Sequence, residues 1–148
     1  VTLEVGDYVL SPEMVVERKA IPDLHASFAS GRLYSQAESM SKHYKTPILL
    51  IEFDPDRAFI LQSVHELGDD IDGRSVTSKL ALLVLHFPKL RLVWSRSPHA
   101  TADIFGLLKA NQDEPDVDAA AAVGVPAHGA AAASESIVNI SAQDVLRR

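Results

Sequence analysis

The stretch Val5-Gly6-Asp7-Tyr8-Val9-Leu10-Ser11-Pro12-Glu13-Met14-Val15-Val16-Glu17-Arg18-Lys19-Ala20-Ile21-Pro22-Asp23 sets the terms for the rest of the chain. Leu3–Leu10 and Met14–Lys19 read as strands, and Ser11-Pro12-Glu13 between them is a turn signal. A hairpin at that turn brings Asp7 back beside Glu17. Strand side chains alternate, so Glu17 and Lys19 share one face while Arg18 points to the other. Pro22 suits the first turn of a following helix, where its missing N–H costs nothing and Asp23 favours the helix dipole.

Working outward, the pattern alternates between strand and helix. The helix that begins near Pro22 runs to about Ser30 and stops at Gly31. A second starts at Arg32, with Leu33, Ala37, Met40 and Tyr44 on one stripe at helical spacing, and with Arg32 and Gln36 together on a different face. Pro47–Phe53 is a continuous apolar run, the mark of a strand buried on both sides. Residues 56–74 hold five acids and two glycines without periodicity and read as a surface loop. Ser75–Phe87 reads as a helix with almost no polar face, to be buried in a core or against a partner. Leu90–Trp94 is a short strand, after which Ser97 offers an N-cap with Pro98 at the first helical position. Such alternation argues for an α/β domain with helices flanking a mixed central sheet.

At 148 residues the chain holds one domain with a real core, over residues 1–110, plus a tail. Residues 111–140 mix Asp, Pro, Gly and alanine runs and read as a flexible linker in which the alanines favour transient helix. No run reaches the roughly 20 apolar residues of a membrane span, and the start does not look like a signal peptide, so a soluble intracellular protein is expected. The absence of cysteine excludes a disulfide framework and a thiolate zinc site. Net charge is −6, but it is unevenly spread: residues 17–45 sum to +2 and residues 79–110 to +4, while the other segments are acidic. The cations Arg18, Lys19, Arg32, Lys42, Lys45, Lys79, Lys89, Arg91, Arg96 and Lys109 fit either a backbone-binding face or an ordinary solvated surface.

A carboxylate followed by a Glu-x-Lys pair is a way to build a metal-dependent phosphodiesterase site. Hard Mg²⁺ prefers carboxylate oxygens and keeps several waters, so Asp7 and Glu17 plus substrate phosphate oxygens suffice to hold it. A lysine beside them orients or deprotonates a water. On spacing alone, the same residues also fit an edge hairpin decorated with solvated charges. The histidines at 25, 43, 65, 86, 99 and 128 show no metal-site spacing, and the serines lack a nucleophile motif.

Beyond Gly-Asp and Glu-Arg-Lys-x-x-x-Asp, the chain carries Gly31-Arg32-Leu33-Tyr34-Ser35-Gln36, Pro47-Ile48-Leu49-Leu50-Ile51-Glu52-Phe53-Asp54, Leu85-His86-Phe87-Pro88-Lys89-Leu90-Arg91 and Ser97-Pro98-His99-Ala100-Thr101-Ala102. Over roughly residues 2 to 110 this text resembles the ERCC4-type nuclease domain of the XPF family of structure-specific DNA repair endonucleases. The resemblance implies a restriction-endonuclease-like fold and a Mg²⁺-dependent enzyme, with Mn²⁺ able to substitute, that cuts one DNA strand near double-strand to single-strand junctions in nucleotide excision and crosslink repair. It implies Asp7 and Glu17 as metal ligands, Lys19 with Arg18 and Asp23 as the catalytic group, and Arg32 and Gln36 as DNA contacts. It further implies residence in the nucleus and a heterodimer with a non-catalytic excision-repair subunit, for which residues 75–87 and 90–110 are the candidate surface. The alternative is a non-catalytic heterodimerisation and DNA-docking module. Family members carry a strand and helix with Asp-x-Arg-Glu ahead of the Gly-Asp strand, so the chain is expected to be an N-terminally truncated fragment. Residues 141–148 look like the entry to a helix-hairpin-helix domain.

Overall fold

In the computed structural model, residues 1–54, 56 and 76–126 are described. Strands β1 (Tyr8–Ser11) and β2 (Met14–Ala20) form the hairpin, followed by helices α1 (Ile21–Ala29) and α2 (Arg32–His43). Strand β3 (Thr46–Glu52), helix α3 (Val76–His86), strand β4 (Arg91–Ser95) and helices α4 (Pro98–Lys109) and α5 (Val117–Ala122) complete the order. The sheet runs β1-β2-β3-β4, with β1 antiparallel to β2 and the other pairs parallel. Parallel neighbours require crossovers, and the intervening helices supply them.

The tight turn at Pro12-Glu13 works because the Glu13 N–H donates to Ser11 Oγ at 3.3 Å. Register shifts between Val9 and Ser11, so Leu10 is an extra residue on β1, the signature of a β-bulge. The first strand is shorter than the sequence suggests. Gly6 takes a φ of 74°, in the left-handed region that an extended strand cannot contain, and regular pairing starts only at Tyr8.

β3 is the axis of the core. Pro47 to Ile51 are all buried, as the apolar run requires, and the two faces of the sheet feed two clusters. On one side Val15, Leu49 and Ile51 pack with Leu24 and Phe28 of α1, Leu33, Ala37 and Met40 of α2, and Leu80 and Leu83 of α3. On the other, Val16, Ile48 and Leu50 meet Ile104, Phe105 and Leu108 of α4. Burying each such aliphatic side chain is worth about 1.5–3 kcal/mol, so β2 and β3 are held from both sides.

The expected stripe on α2 is realised, with Leu33, Ala37, Met40 and Tyr44 all buried. Ser97 caps α4 by accepting from the Ala100 N–H at 3.0 Å, as the Ser-Pro pair foretells. Helix α3 buries Val76, Leu80 and Leu83 but leaves Leu85 76% exposed, because one layer of sheet covers only one side of a helix. Part of the segment expected as a linker also has defined structure. Asp116 caps α5 through the Ala119 N–H at 2.7 Å, and Val123 packs against the first cluster. The expectations for most of the 56–74 loop, for residues 127–140 and for residues 141–148 lie outside the described residues.

Two glycines share a φ of 74° but differ in their surroundings. A Cβ on Gly6 would lie 2.4 Å from Val15 Cγ2, whereas one on Gly31 would meet nothing within 4 Å. Gly31→Ala is therefore expected to cost about 1 kcal/mol of backbone strain, and Gly6→Ala that strain plus an overpacking penalty of about 1–3 kcal/mol. Urea unfolding of both variants checks this, and equal destabilisation would contradict the close approach of Gly6 to β2.

Candidate active site

The register of the hairpin builds the site. Tyr8 pairs with Val16, and the Asp7 N–H donates to Val16 O at 2.8 Å, so the next step of the ladder sets Asp7 opposite Glu17. The Asp7 carboxylate is fixed by the facing strand, since the Arg18 N–H donates to Asp7 Oδ2 at 2.8 Å. Glu17 is buried and its Oε1 accepts from Lys19 Nζ at 2.5 Å and from Gln36 Nε2. Two residues apart on one strand, Glu17 and Lys19 share a face, and Gln36 reaches them from one turn inside α2.

These residues open onto a cleft of about 780 Å³ lined by Asp7, Tyr8, Glu17, Arg18, Lys19 and Asp23, with Arg32 at the start of α2. Ala26, Ser27 and Ser30 of α1 and its end form the remaining wall. Six of the seven residues singled out from sequence thus meet at one place. Gln36, expected near the active site as a DNA contact, donates from α2 to Glu17 Oε1. Arg18 divides its functions, with its backbone on Asp7 and its guanidinium on the far side of β2, where Nε and Nη2 fork onto Glu52 Oε2 and Oε1 at 3.1 and 2.6 Å.

The donors suit a hard cation. The hydrogen bonds to Glu17 land on Oε1 and the one to Asp7 lands on Oδ2, so each carboxylate keeps a second oxygen free of protein donors among the described residues. Among those residues, no three His, Cys, Asp or Glu side chains gather to enclose a metal. A cation held by Asp7 and Glu17 would have to complete its shell with water or phosphate oxygens, as Mg²⁺ commonly does.

Sequence reasoning gave no role of its own to Glu52 or Thr101. Thr101 Oγ1 donates to Glu52 Oε2 at 3.0 Å and lies 2.8 Å from Ser95 Oγ, tying α4 and β4 to the residue that grips Arg18. The signal was available: Glu52 is the one carboxylate within the otherwise apolar run Pro47–Phe53, and a buried charge needs a partner. No helix among the described residues is long and apolar enough to cross a membrane.

A protein-family model described as the ERCC4 domain matches residues 1–108. The DNA repair endonuclease UVH1 of Arabidopsis thaliana is 55% identical over 151 residues, covering 100% of this chain and 16% of that protein. The DNA repair endonuclease XPF of Mus musculus is 54% identical over 123 residues, covering 83% of this chain and 13% of its own length. Among solved structures, XPF from Aeropyrum pernix in complex with DNA is similar with a TM-score of 0.59 and 30% identity, over 73% of this chain and 49% of that one. The chain therefore spans 13–16% of the length of these two curated relatives.

Two carboxyls near the site are shifted in opposite directions. Burial pushes Glu17 above the usual 4.5; the Lys19 hydrogen bond opposes the shift and the Asp7 charge adds to it. The Arg18 fork holds Glu52 below 4.5 against the cost of its burial, with help from Thr101. A raised folded value means that Glu17 favours the fold while protonated, a contribution complete below about 4.5 and lost as pH rises through the folded value. Glu52 contributes above about 4.5 and loses that contribution as pH falls through its depressed value. In ¹³C-detected titrations without metal, Glu17 should titrate above 4.5 and Glu52 below it, and Lys19→Met should move Glu17 further up. The reverse order of the two carboxyls would contradict the assigned burial and pairing.

Proposed function

The chain belongs to the ERCC4-domain family of XPF-type DNA repair endonucleases, and on that premise we propose that it is the nuclease module of a structure-specific DNA endonuclease. The observation that carries the reading is the opposition of Asp7 and Glu17 across the hairpin, with Lys19 bonded to Glu17 at the edge of the same cleft. In this reading Asp7 and Glu17 offer their remaining oxygens to a divalent cation, Mg²⁺ with Mn²⁺ able to substitute. Bound there, the ion supplies Lewis acidity for in-line phosphodiester displacement.

The chain's own groups do the rest. The Lys19 ammonium has three donors and spends one on Glu17, which leaves two for a water or a phosphate oxygen. Gln36 and Lys19 together hold Glu17 Oε1, fixing the carboxylate in one rotamer. Asp23 stands on the first turn of α1 in the cleft wall, and Arg32 offers a guanidinium to the DNA backbone at the mouth. The family role extends the proposal to single-strand cutting near duplex to single-strand junctions in nucleotide excision and crosslink repair, to nuclear residence, and to a heterodimer with a non-catalytic partner subunit.

A second reading, a non-catalytic heterodimerisation and DNA-docking module, is favoured by the apolar side chains left outside the core. Leu85 of α3 and Leu107 of α4 are 76% and 77% exposed, within the two segments expected to face a partner subunit. The carboxylate pair and its lysine have no use in that reading.

Cleavage of end-labelled splayed-arm DNA by the chain extended to the length of its relatives, with its partner subunit, separates the two. Asp7→Ala and Glu17→Ala should each abolish Mg²⁺-dependent cutting near the junction, a loss on the order of 10³-fold or more, while DNA affinity changes little. Full cleavage in either variant, or tight binding without cleavage by the unaltered protein, would overturn the nuclease assignment.

A further inference from the structure

On the face of the sheet opposite Glu17 and Lys19, a chain of polar contacts runs from α4 to the Asp7 carboxylate. Thr101 Oγ1 donates to Glu52 Oε2 at 3.0 Å, and Glu52 receives the Arg18 fork at 3.1 and 2.6 Å. The Arg18 backbone N–H then donates to Asp7 Oδ2 at 2.8 Å. Thr101 is 5% exposed and Glu52 9%, so the Thr101 end of the chain is buried, while the Arg18 side chain is 37% exposed and Asp7 lies at the surface of the cleft. One turn further along α4, Phe105 packs its ring on Tyr8 with centroids 4.9 Å apart. Tyr8 is the chain neighbour of Asp7. Residues 101 and 105 of one helix thus hold both the hydrogen-bond donor to Asp7 and the residue covalently next to it.

We infer that Thr101 and Glu52 are positioning residues for the Asp7 carboxylate, acting through the Arg18 fork, so that α4 clamps that side of the site from behind. The inference rests on the nuclease reading for its catalytic consequence, though not for the geometry. A stabilising role alone gives little reason for this chemistry: an ion pair whose guanidinium is 37% exposed is worth little in water, and an apolar set of similar volume would hold the sheet to α4 as well. A planar fork, unlike apolar packing, fixes the direction of the strand at the one residue whose N–H orients Asp7. Outer partners of metal ligands act in this way, and their loss typically weakens the metal by 10–100-fold.

The test uses the chain extended to the length of its relatives and paired with its partner, with three readouts: Mn²⁺ affinity by electron paramagnetic resonance, kcat and KM on splayed-arm DNA, and the thermal midpoint. Thr101→Val keeps the shape and removes the hydroxyl, Thr101→Ser restores it, and Glu52→Gln removes the charge that anchors the fork. Thr101→Val and Glu52→Gln should weaken Mn²⁺ by about 10-fold and lower kcat with KM for DNA unchanged, and Thr101→Ser should recover both values. Unaltered Mn²⁺ affinity in folded Thr101→Val and Glu52→Gln would overturn the inference, as would a Thr101→Ser variant as impaired as Thr101→Val. If the unaltered protein binds Mn²⁺ but cuts no DNA, the nuclease reading fails and the Mn²⁺ affinities still decide the positioning role.

Discussion

Strand β2 must satisfy three neighbours at once, and the site follows from that constraint. Its ladder with β1 sets Asp7 opposite Glu17, its parallel register with β3 aligns Ala20 with Glu52, and its alternation sends Glu17 and Lys19 to one face and Arg18 to the other. A slip of one residue in either ladder would exchange those faces, turning the Glu17–Lys19 pair out of the cleft and the Arg18 guanidinium toward it. Val15 and Val16, both fully buried and on opposite faces, anchor β2 in the two hydrophobic clusters. Core packing and site geometry are therefore specified by the same few residues.

The charges are arranged to make a buried carboxylate tolerable while keeping it reactive. Glu17 is desolvated, and Lys19 and Gln36 compensate only in part, so its carboxyl stays above the ordinary range. A divalent cation beside it would supply the missing positive charge, which gives the site a physical reason to bind one. Arg18 and Glu52 show the contrasting design, a forked pair that neutralises itself and leaves the Arg18 backbone to serve Asp7. The strand thus carries one electrostatically incomplete pair facing the cleft and one complete pair behind it.

Much of this was legible in the sequence because the signals are local. The Ser-Pro-Glu turn, the Pro22 and Ser97-Pro98 helix starts, the α2 stripe and the apolar run of β3 each follow from neighbouring residues, and each appears where expected. What escaped depends on distant pairing. Glu52 and Arg18 are 34 positions apart, and Thr101 is a further 49 from Glu52, so their network appears only once β3 and α4 are in place. The Gln36 bond to Glu17 is not readable from spacing, which gives the face of a helix and not what lies against it. The early end of β1 was missed because Gly6 can adopt either hand, and only packing against Val15 selects the left-handed one.

Paramagnetic broadening of amide resonances during a Mn²⁺ titration of the domain tests most directly whether the hairpin carboxylates form a cation site. Broadening should begin at Asp7 and at Glu17 to Lys19 and disappear in Asp7→Ala. Broadening that starts instead at the exposed acids Asp113, Glu114, Asp116 and Asp118, unaffected by Asp7→Ala, would contradict the site.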